Sequence, residues 1–549
     1  MENSPGEFSA VNRNNKREAR RINAKAIVGM NQTFASFLNY GAFGILESHI
    51  GELLYDSEET LLEIPLSMIK VQGVQNVKNK LVQLYQREKG SLHLFHTAAY
   101  RTDENGKEAQ GNWNTYTYRA DSEDEAGRVK SVRYQFCRIT VDFKKNRENH
   151  WLIKKIYVLP LLKLAPWQCD KSDVMGLCQI NESMNVQLHT FSKIDPNDFV
   201  KIRNLAGMFT HYVPTHQVEY FDTESDIKLE MKNIQDQCIK GYHNVKDFFD
   251  NWKVIEENVG YNLHKMTLTN PVISYMSDCD HAELSGLSHT FDVVEGDDTE
   301  NVPPMVRRVC YTHMTFIRRA GIWKICSVET TPLLSLNKEI NEHPRNLEAM
   351  PSRVPEYYPN MDMNQSALQA EDVFEIESIL PEWTERLKRG VDMPEFPDHY
   401  MVNSKEEIRL SMRQVYQGYE AVVDRCDELI NRQVKGHEDM LRFPQFHSGC
   451  TPVIVSDGQY GQGIWDDICW GNIGAAIFYE DSQKEREYLP GVGQYTHHFV
   501  KDESGWKIYS LADRSSKVPQ MVDWKYNTDE VGGWAAVQIP AKWPLPFEK

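Results

Sequence analysis

The chain has 549 residues, enough for about three or four domains of ordinary size. Its 41% apolar content, with 12 Trp, 25 Tyr and 22 Phe, is ample for several cores. A formal net charge of −18 argues against a nucleic-acid partner, whose phosphates would repel it, and more weakly against an anionic membrane surface.

In chain order, residues 1–25 read as a solvated tail, because "MENSPGEFSAVNRNNKREARR" lacks the apolar core of a signal peptide. A helical segment follows in "AIVGMNQTFASFLNYGAF", with apolar Val28, Phe34, Phe37 and Leu38. "QGVQNVK" (72–78) then reads as a turn feeding a second helix. Strands come next and close in a hairpin: one ends at Phe143, "KKNRENH" turns, and Trp151 opens "HWLIKKIYVLPLLKL". Residues 166–198 read as a linker.

The order then starts again. "FVKIRNLAGMFTHYV" is a helix, "KGYHNVK" (240–246) the turn, and "IRRAGI" joins the strand of Phe316 to "GIWKICSVETTPLLSL". Residues 341–368, rich in proline, read as a second linker. A third round has "VFEIESILPEWTERL", "QGYEAV" (417–422), Phe499, "VKDESG" and "SGWKIYSLADRSSKVP". Trp151 and Trp323 are 172 residues apart, and Trp323 and Trp506 are 183 apart. Each round keeps Gly followed four residues later by Val: Gly73 and Val77, Gly241 and Val245, Gly418 and Val422. The spacing predicts three tandem units, at 26–165, 199–340 and 369–520, with a C-terminal extension at 521–549. Helices followed by runs of strands make each unit α+β, with helices packed on a curved antiparallel sheet.

The ten cysteines include no CxxC pair and read as buried thiols of a reducing compartment. No run approaches 18 uninterrupted apolar residues, so no membrane-spanning helix is expected. Together with the tail, this points to a cytoplasmic protein.

With these elements in place, "HSGCTPVIVSDGQYGQGIW" (447–465) and "YTHHFVKDESGWKIYSL" (495–511) resemble a SnoaL-like domain of the nuclear transport factor two-like superfamily. "LTNPVISYMSD" and "FIRRAGIWKI" carry the resemblance in the second unit, and "LEIPLSMIKVQGVQNVK" and "HWLIKKI" in the first. The resemblance implies a cone: a strongly curved sheet wrapped on a long helix around an apolar pocket. Members include dehydratases, isomerases, cyclases, hydrolases and pure binding proteins, so it implies a pocket and not one reaction.

One histidine recurs at nearly constant distance from the tryptophans: His93 lies 58 residues before Trp151, His264 lies 59 before Trp323, and His447 lies 59 before Trp506. His96 competes with His93. Family dehydratases place a cavity-facing histidine near the start of this strand, and a side chain titrating near neutral pH suits proton transfer. The structural alternative is a core histidine bonded to backbone. Tyr40 and Tyr212 match at an offset of 172 on the first helix, where family dehydratases carry a tyrosine and then an aspartate. No aspartate follows either tyrosine, and Trp383 and Arg386 stand in the third unit. The second unit has the richest polar set, with His211, His216 and His313 beside Tyr212 and His264, and His497 adds to the third. Alternation puts His313 on the face opposite Phe316, and His497 on the face of Phe499 with His498 opposite.

"GQYGQG" (458–463) joins two strands with no following helix and reads as a hairpin turn. "SDCDH" (277–281) falls at another turn, and no metal site is expected there. The acidic runs "DSEDE" and "EGDDTE" read as solvated loops.

The catalytic residues expected are therefore His264 and Tyr212, with His447, Tyr40 and His93 in the other units. His211, His216, His313, His497, Trp383 and Arg386 would contact substrate. The expected function is a cofactor-independent lyase or isomerase, of dehydratase-like acid–base chemistry, acting on a small apolar, aromatic or polycyclic ligand. The alternative is a non-catalytic binding or scaffold protein. Three cones in one chain also raise the expectation of an intrachain pseudo-trimer, against a rival in which two cones pair and the third stands apart.

Overall fold

The computed structural model describes residues 23–87, 91–103, 105–123, 129–163, 167–168, 191, 193–212, 218–224, 227–232, 238–241, 245–251, 261–294, 304–339, 368–389, 409–411, 415–424, 446–449, 452–471 and 489–517. The expected 341–368 linker falls almost wholly outside these residues, and the 521–549 extension entirely so.

The first part opens with helices α1 (Ala24–Ala42) and α2 (Leu46–Leu53). It continues with strands β1 (Leu61–Ile64) and β2 (Ile69–Gln72) and helix α3 (Val74–Arg87). Four long strands follow, β3 (Ser91–Thr102), β4 (Glu108–Glu123), β5 (Val129–Lys145) and β6 (Trp151–Lys163), with short β7 (Trp167–Gln168). The sheet order is β2-β1-β6-β5-β4-β3, with β7 on β5. All neighbours are antiparallel except β1, which runs parallel to β6.

The same plan recurs. Helix α4 (Pro196–Tyr212) precedes β8 (Lys228–Lys232), β9 (Cys238–Gly241), helix α5 (245–251), β10 (Tyr261–Tyr275), β11 (His281–Val294), β12 (Pro304–Arg319) and β13 (Ile322–Glu339). Here β8 is the strand parallel to its neighbour, β13. Helix α6 (Ala370–Arg389) precedes β14 (Arg409–Ser411), β15 (Val415–Gln417), helix α7 (419–424), β16 (Phe446–Gly449), β17 (Val453–Ser456), β18 (Tyr460–Gly471), β19 (Leu489–Asp502) and β20 (Gly505–Lys517). There β14 runs parallel to β20.

Local chemistry explains the shared plan. Gly73 and Gly418 both take φ of +89°, which costs glycine little, and each hands the chain to a helix. The valines four residues on, Val77, Val245 and Val422, are all buried. Two details differ from the sequence reading. Residues 121–123 of the acidic run "DSEDE" extend strand β4 rather than form a loop, and β7 lies inside the stretch read as a linker. Residues 295–300, "EGDDTE", lie outside the described residues.

The repeated tryptophan ties each helix to its own sheet. Trp323 donates its indole N–H to Asp198 Oδ1 at 3.1 Å, and Trp506 donates to Asp372 Oδ1 at 3.0 Å. A cation from the preceding strand lies over each indole: Lys145 over Trp151, Arg318 over Trp323, Lys501 over Trp506. In the first unit Ala26 stands where the other helices have aspartate. There Gly29 lets the indole approach, since a Cβ at Gly29 would lie 2.3 Å from Trp151 Cδ1.

Helix α1 is buried at nearly every position from Ala24 to Tyr40, because it is flanked by more than its own sheet. It packs on β3 and β6 and also on β10 of the second sheet; α4 packs on β10 and also on β17 of the third; α6 packs on β17 and β18 and also on β3 of the first. Polar bonds mark each crossing. Gln32 Oε1 accepts from the Ile273 amide at 3.1 Å, and Asn39 and Asn270 bond each other. Asn204 both donates to the Ile454 carbonyl and accepts from its amide. Tyr100 reaches Glu377 at 3.4 Å. The three helices also touch one another pairwise. No described helix is long and apolar enough to cross a membrane.

Candidate functional site

Each sheet curls over its helix, and strand register shows what fills the inside. Phe143, Phe316 and Phe499 pair with Ala109, Ala282 and Gly461. Four residues further along those strands stand Trp113, Gly286 and Trp465. The first and third units therefore carry an indole where the second has no side chain.

Trp113 is fully buried, stacked on Phe34 at 4.3 Å between ring centroids, with Tyr100 and Phe143 edge-on. Trp465 is likewise fully buried, with His497 at 5.3 Å and Phe499 at 6.2 Å. Both indoles need a glycine two residues earlier. A Cβ at Gly111 would meet the Trp113 ring at 2.0 Å, and one at Gly463 would meet Trp465 at 2.1 Å. In the second unit that earlier position is Leu284, and Gly286 lies close under the backbone carbonyl of Thr269.

The polar lining of the second unit starts where the indole is absent. Ser288 and Thr312 are fully buried, and Thr312 Oγ1 donates to Ser288 Oγ at 2.7 Å. Alternation along β12 places Arg308 and Cys310, both buried, on the face of Thr312. The opposite face carries a separate polar pair. His313 is half-buried with Nε2 3.4 Å from Glu283 Oε2, and Ser274 donates to the other Glu283 oxygen. His313 thus pairs away from Phe316, as alternation requires, and is not joined to Ser288 or Thr312.

Register also tests the recurrent histidine. His93 pairs with Thr117 and His447 with Cys469, each four residues past the indole. The matching position in the second unit is Met266, opposite Thr290; His264 lies two residues earlier, opposite Asp292. The near-constant spacing to tryptophan misleads because it sums connections of unequal length. From indole to phenylalanine is four residues longer through β18 and β19 than through β4 and β5, and other segments compensate.

The described histidines have distinct surroundings. His93 is half-buried, with Nδ1 3.0 Å from Thr117 Oγ1 and its ring 5.3 Å from Tyr85. Tyr85 packs edge-on against Phe37 and over Gly41. Tyr40 is buried beside His49, with 5.1 Å between the ring centroids. His497 shares a face with Phe499, while buried His498 lies on the other, where burial holds its imidazole down to about 4. His211 and Tyr212 end α4, His264 and His447 lie on β10 and β16, and Trp383 and Arg386 lie on α6. The side chains of these six, and that of His96, are outside the described residues, as is the whole of His216.

Two features escaped the sequence reading. The aspartates that grip the repeated tryptophans were not singled out, although Asp198 and Asp372 stand at matched first-turn positions of their helices. The Gly-x-Trp pair of Gly111 and Trp113, repeated by Gly463 and Trp465, is visible in the sequence and marks the filled interiors. "SDCDH" is a turn in which Asp278 accepts from His281 Nδ1 and Asp280 binds Arg318. No group of three potential metal-ligating side chains occurs among the described residues. "GQYGQG" is the hairpin between β17 and β18, with Gly458 at φ +91°.

No family model and no curated protein matches the sequence. Solved structures do. A type 2 hexachlorocyclohexane dehydrochlorinase, LinA, is 11% identical over 26% of this chain and 89% of its own, with a TM-score of 0.22. ActVI-ORFA from Streptomyces coelicolor is 10% identical over 25% of this chain and 97% of its own, with a TM-score of 0.21. An NTF2-like protein with a cystatin-like fold from Novosphingobium aromaticivorans is 12% identical over 26% and 80%, with a TM-score of 0.20. Each spans about a quarter of this chain.

Proposed function

We propose that the chain is built of three SnoaL-like cones and that the second binds a small apolar ring compound. There it acts as a cofactor-independent lyase or isomerase. The carrying observation is Gly286, which stands where Trp113 and Trp465 fill the other two interiors. The buried Ser288–Thr312 pair and Arg308 supply donors on an otherwise apolar wall. His264, paired in register with Asp292, is the proposed proton-transfer group. Tyr212, at the end of the helix packed on the same strand, is the proposed donor to a substrate oxygen. In a dehydration the base takes a proton from the carbon beside a carbonyl. The hydroxyl group on the next carbon leaves with a proton from the acid, as water. Such help is worth roughly 10²–10⁴-fold.

The test is turnover of a panel of β-hydroxy cyclic ketones, followed by appearance of the conjugated enone. His264→Ala should lose at least about 10²-fold in rate while His93→Ala stays near the native rate. Equal losses, or unchanged turnover in His264→Ala, would move the chemistry out of the second cone. A second reading, binding without turnover, is favoured by the hydroxyl pair itself, since hydroxyls do not exchange charge near neutral pH. It predicts ring-compound binding and no enone from any member of the panel.

The ring of crossings, α1 onto β10, α4 onto β17 and α6 onto β3, supports a pseudo-threefold arrangement of the cones within one chain. Cys279 and Cys326, which stand as thiols, fit a reducing, cytoplasmic setting.

A further inference from the structure

One helix position differs in charge between the three units, and Tyr100 links its three residues into one polar cluster. Asp198 and Asp372 match, because each takes the indole N–H of its unit's repeated tryptophan. Five residues on, Arg203 matches Glu377. Gln32 and Asn204 match as well, because each accepts the amide of corresponding strand residues, Ile273 and Ile454. The position before them is Asn31 in the first unit and Arg203 in the second. The same place on the helix is therefore Asn, Arg and Glu in turn.

These side chains converge where α1, α4 and α6 touch. Arg203 Nη1 lies 2.9 Å from Glu377 Oε2, with both side chains nearly sealed from solvent. Tyr100 Oη lies 3.4 Å from the other Glu377 oxygen and 2.8 Å from Asn31 Nδ2. Tyr100 itself stands at the strand position of Ile273 and Ile454, so the polar bridge belongs to one crossing only. The Phe199 and Phe374 rings flank the guanidinium. Burial raises the Glu377 carboxyl, and the Arg203 charge opposes that shift.

We propose that the buried Arg203–Glu377 pair, bridged by Tyr100 to Asn31, specifies that the second and third cones associate with each other and not with further copies of themselves. Three copies of the second unit would bring three guanidiniums together at this point, and three copies of the third would bring three carboxylates. Neither set can be desolvated without a counter-charge. A set that holds one second and one third unit gives each charge a partner. A buried ion pair of this sort adds little net stability over an apolar pair, so selection among arrangements is the property it supplies.

The test uses the full chain. The single reversals Arg203→Glu and Glu377→Arg should lower the urea midpoint by roughly 1 M or more, because each leaves two like charges buried. The double reversal should return the midpoint toward native. The neutral pair Arg203→Met with Glu377→Leu should hold a native or higher midpoint. It should nonetheless give extra, concentration-dependent species by size-exclusion chromatography with light scattering, formed by exchange of cones between chains. A neutral double variant that elutes as the same single species as the native chain would overturn the ordering role. So would a double reversal no more stable than the single ones.

Discussion

At the scale of single residues, the thrice-written strand has a mechanical meaning. Its tryptophan is clamped between a cation on the neighbouring strand and the unit's helix, at the first-turn aspartate for Trp323 and Trp506 and at Gly29 for Trp151. Asp198 also takes Tyr275 Oη at 2.5 Å and Arg318 at 3.0 Å, so one carboxylate joins helix, strand and hairpin. The tryptophan spacing was legible in the sequence; the aspartates were not, because the first unit has Ala26 at that place and breaks the pattern. His498 makes a pH-dependent contribution. Its imidazole is held at about 4 against an ordinary 6.5, so above pH 6.5 it is neutral in both folded and unfolded chains. As pH falls from 6.5 toward 4, the unfolded chain takes a proton that the fold refuses, and stability is lost. The full loss is about 3 kcal/mol. Urea midpoints at pH 7 and pH 4.5 check this: the native chain should drop more than His498→Gln. Parallel drops would place the acid sensitivity elsewhere.

At the scale of elements, the glycine-to-helix turns, the closing hairpins and the alternation of His313 and His497 all followed from local pattern. Register did not. The equivalence of His93 with His447, and the displacement of His264, depends on connection lengths that compensate between one mark and the next. Strand pairing alone separates them. The Gly-x-Trp element has a measurable cost. Gly111→Ala would drive a Cβ against an indole that Phe34 blocks from behind, so relaxation is limited. It should destabilise by about 1–3 kcal/mol, read as a lowered urea midpoint. Gly44→Ala supplies the control: its φ is +72°, but a Cβ there meets nothing within 4 Å, so its cost is backbone strain without overpacking. An Ala at 111 that costs less than one at 44 would contradict the packing described for Trp113.

At the scale of the whole molecule, three similar sheets hold unlike interiors. Two are filled by an indole, and one is lined by hydroxyls and an arginine. The Gly-x-Trp pairs at 111–113 and 463–465 are visible in the sequence, but that Gly286 stands at their position is identified only through its partners across the sheet. Counting bound ligands tests the division most directly. Calorimetric titration of the native chain with 8-anilinonaphthalene-1-sulfonate, an apolar ring probe, should give one site per chain. Thr312→Tyr, which brings to the second sheet the residue found at the matching register in the third, Tyr495, should abolish that site without unfolding the protein. Three equivalent sites, or one site untouched by Thr312→Tyr, would contradict the proposal that ligand enters only beneath the second sheet.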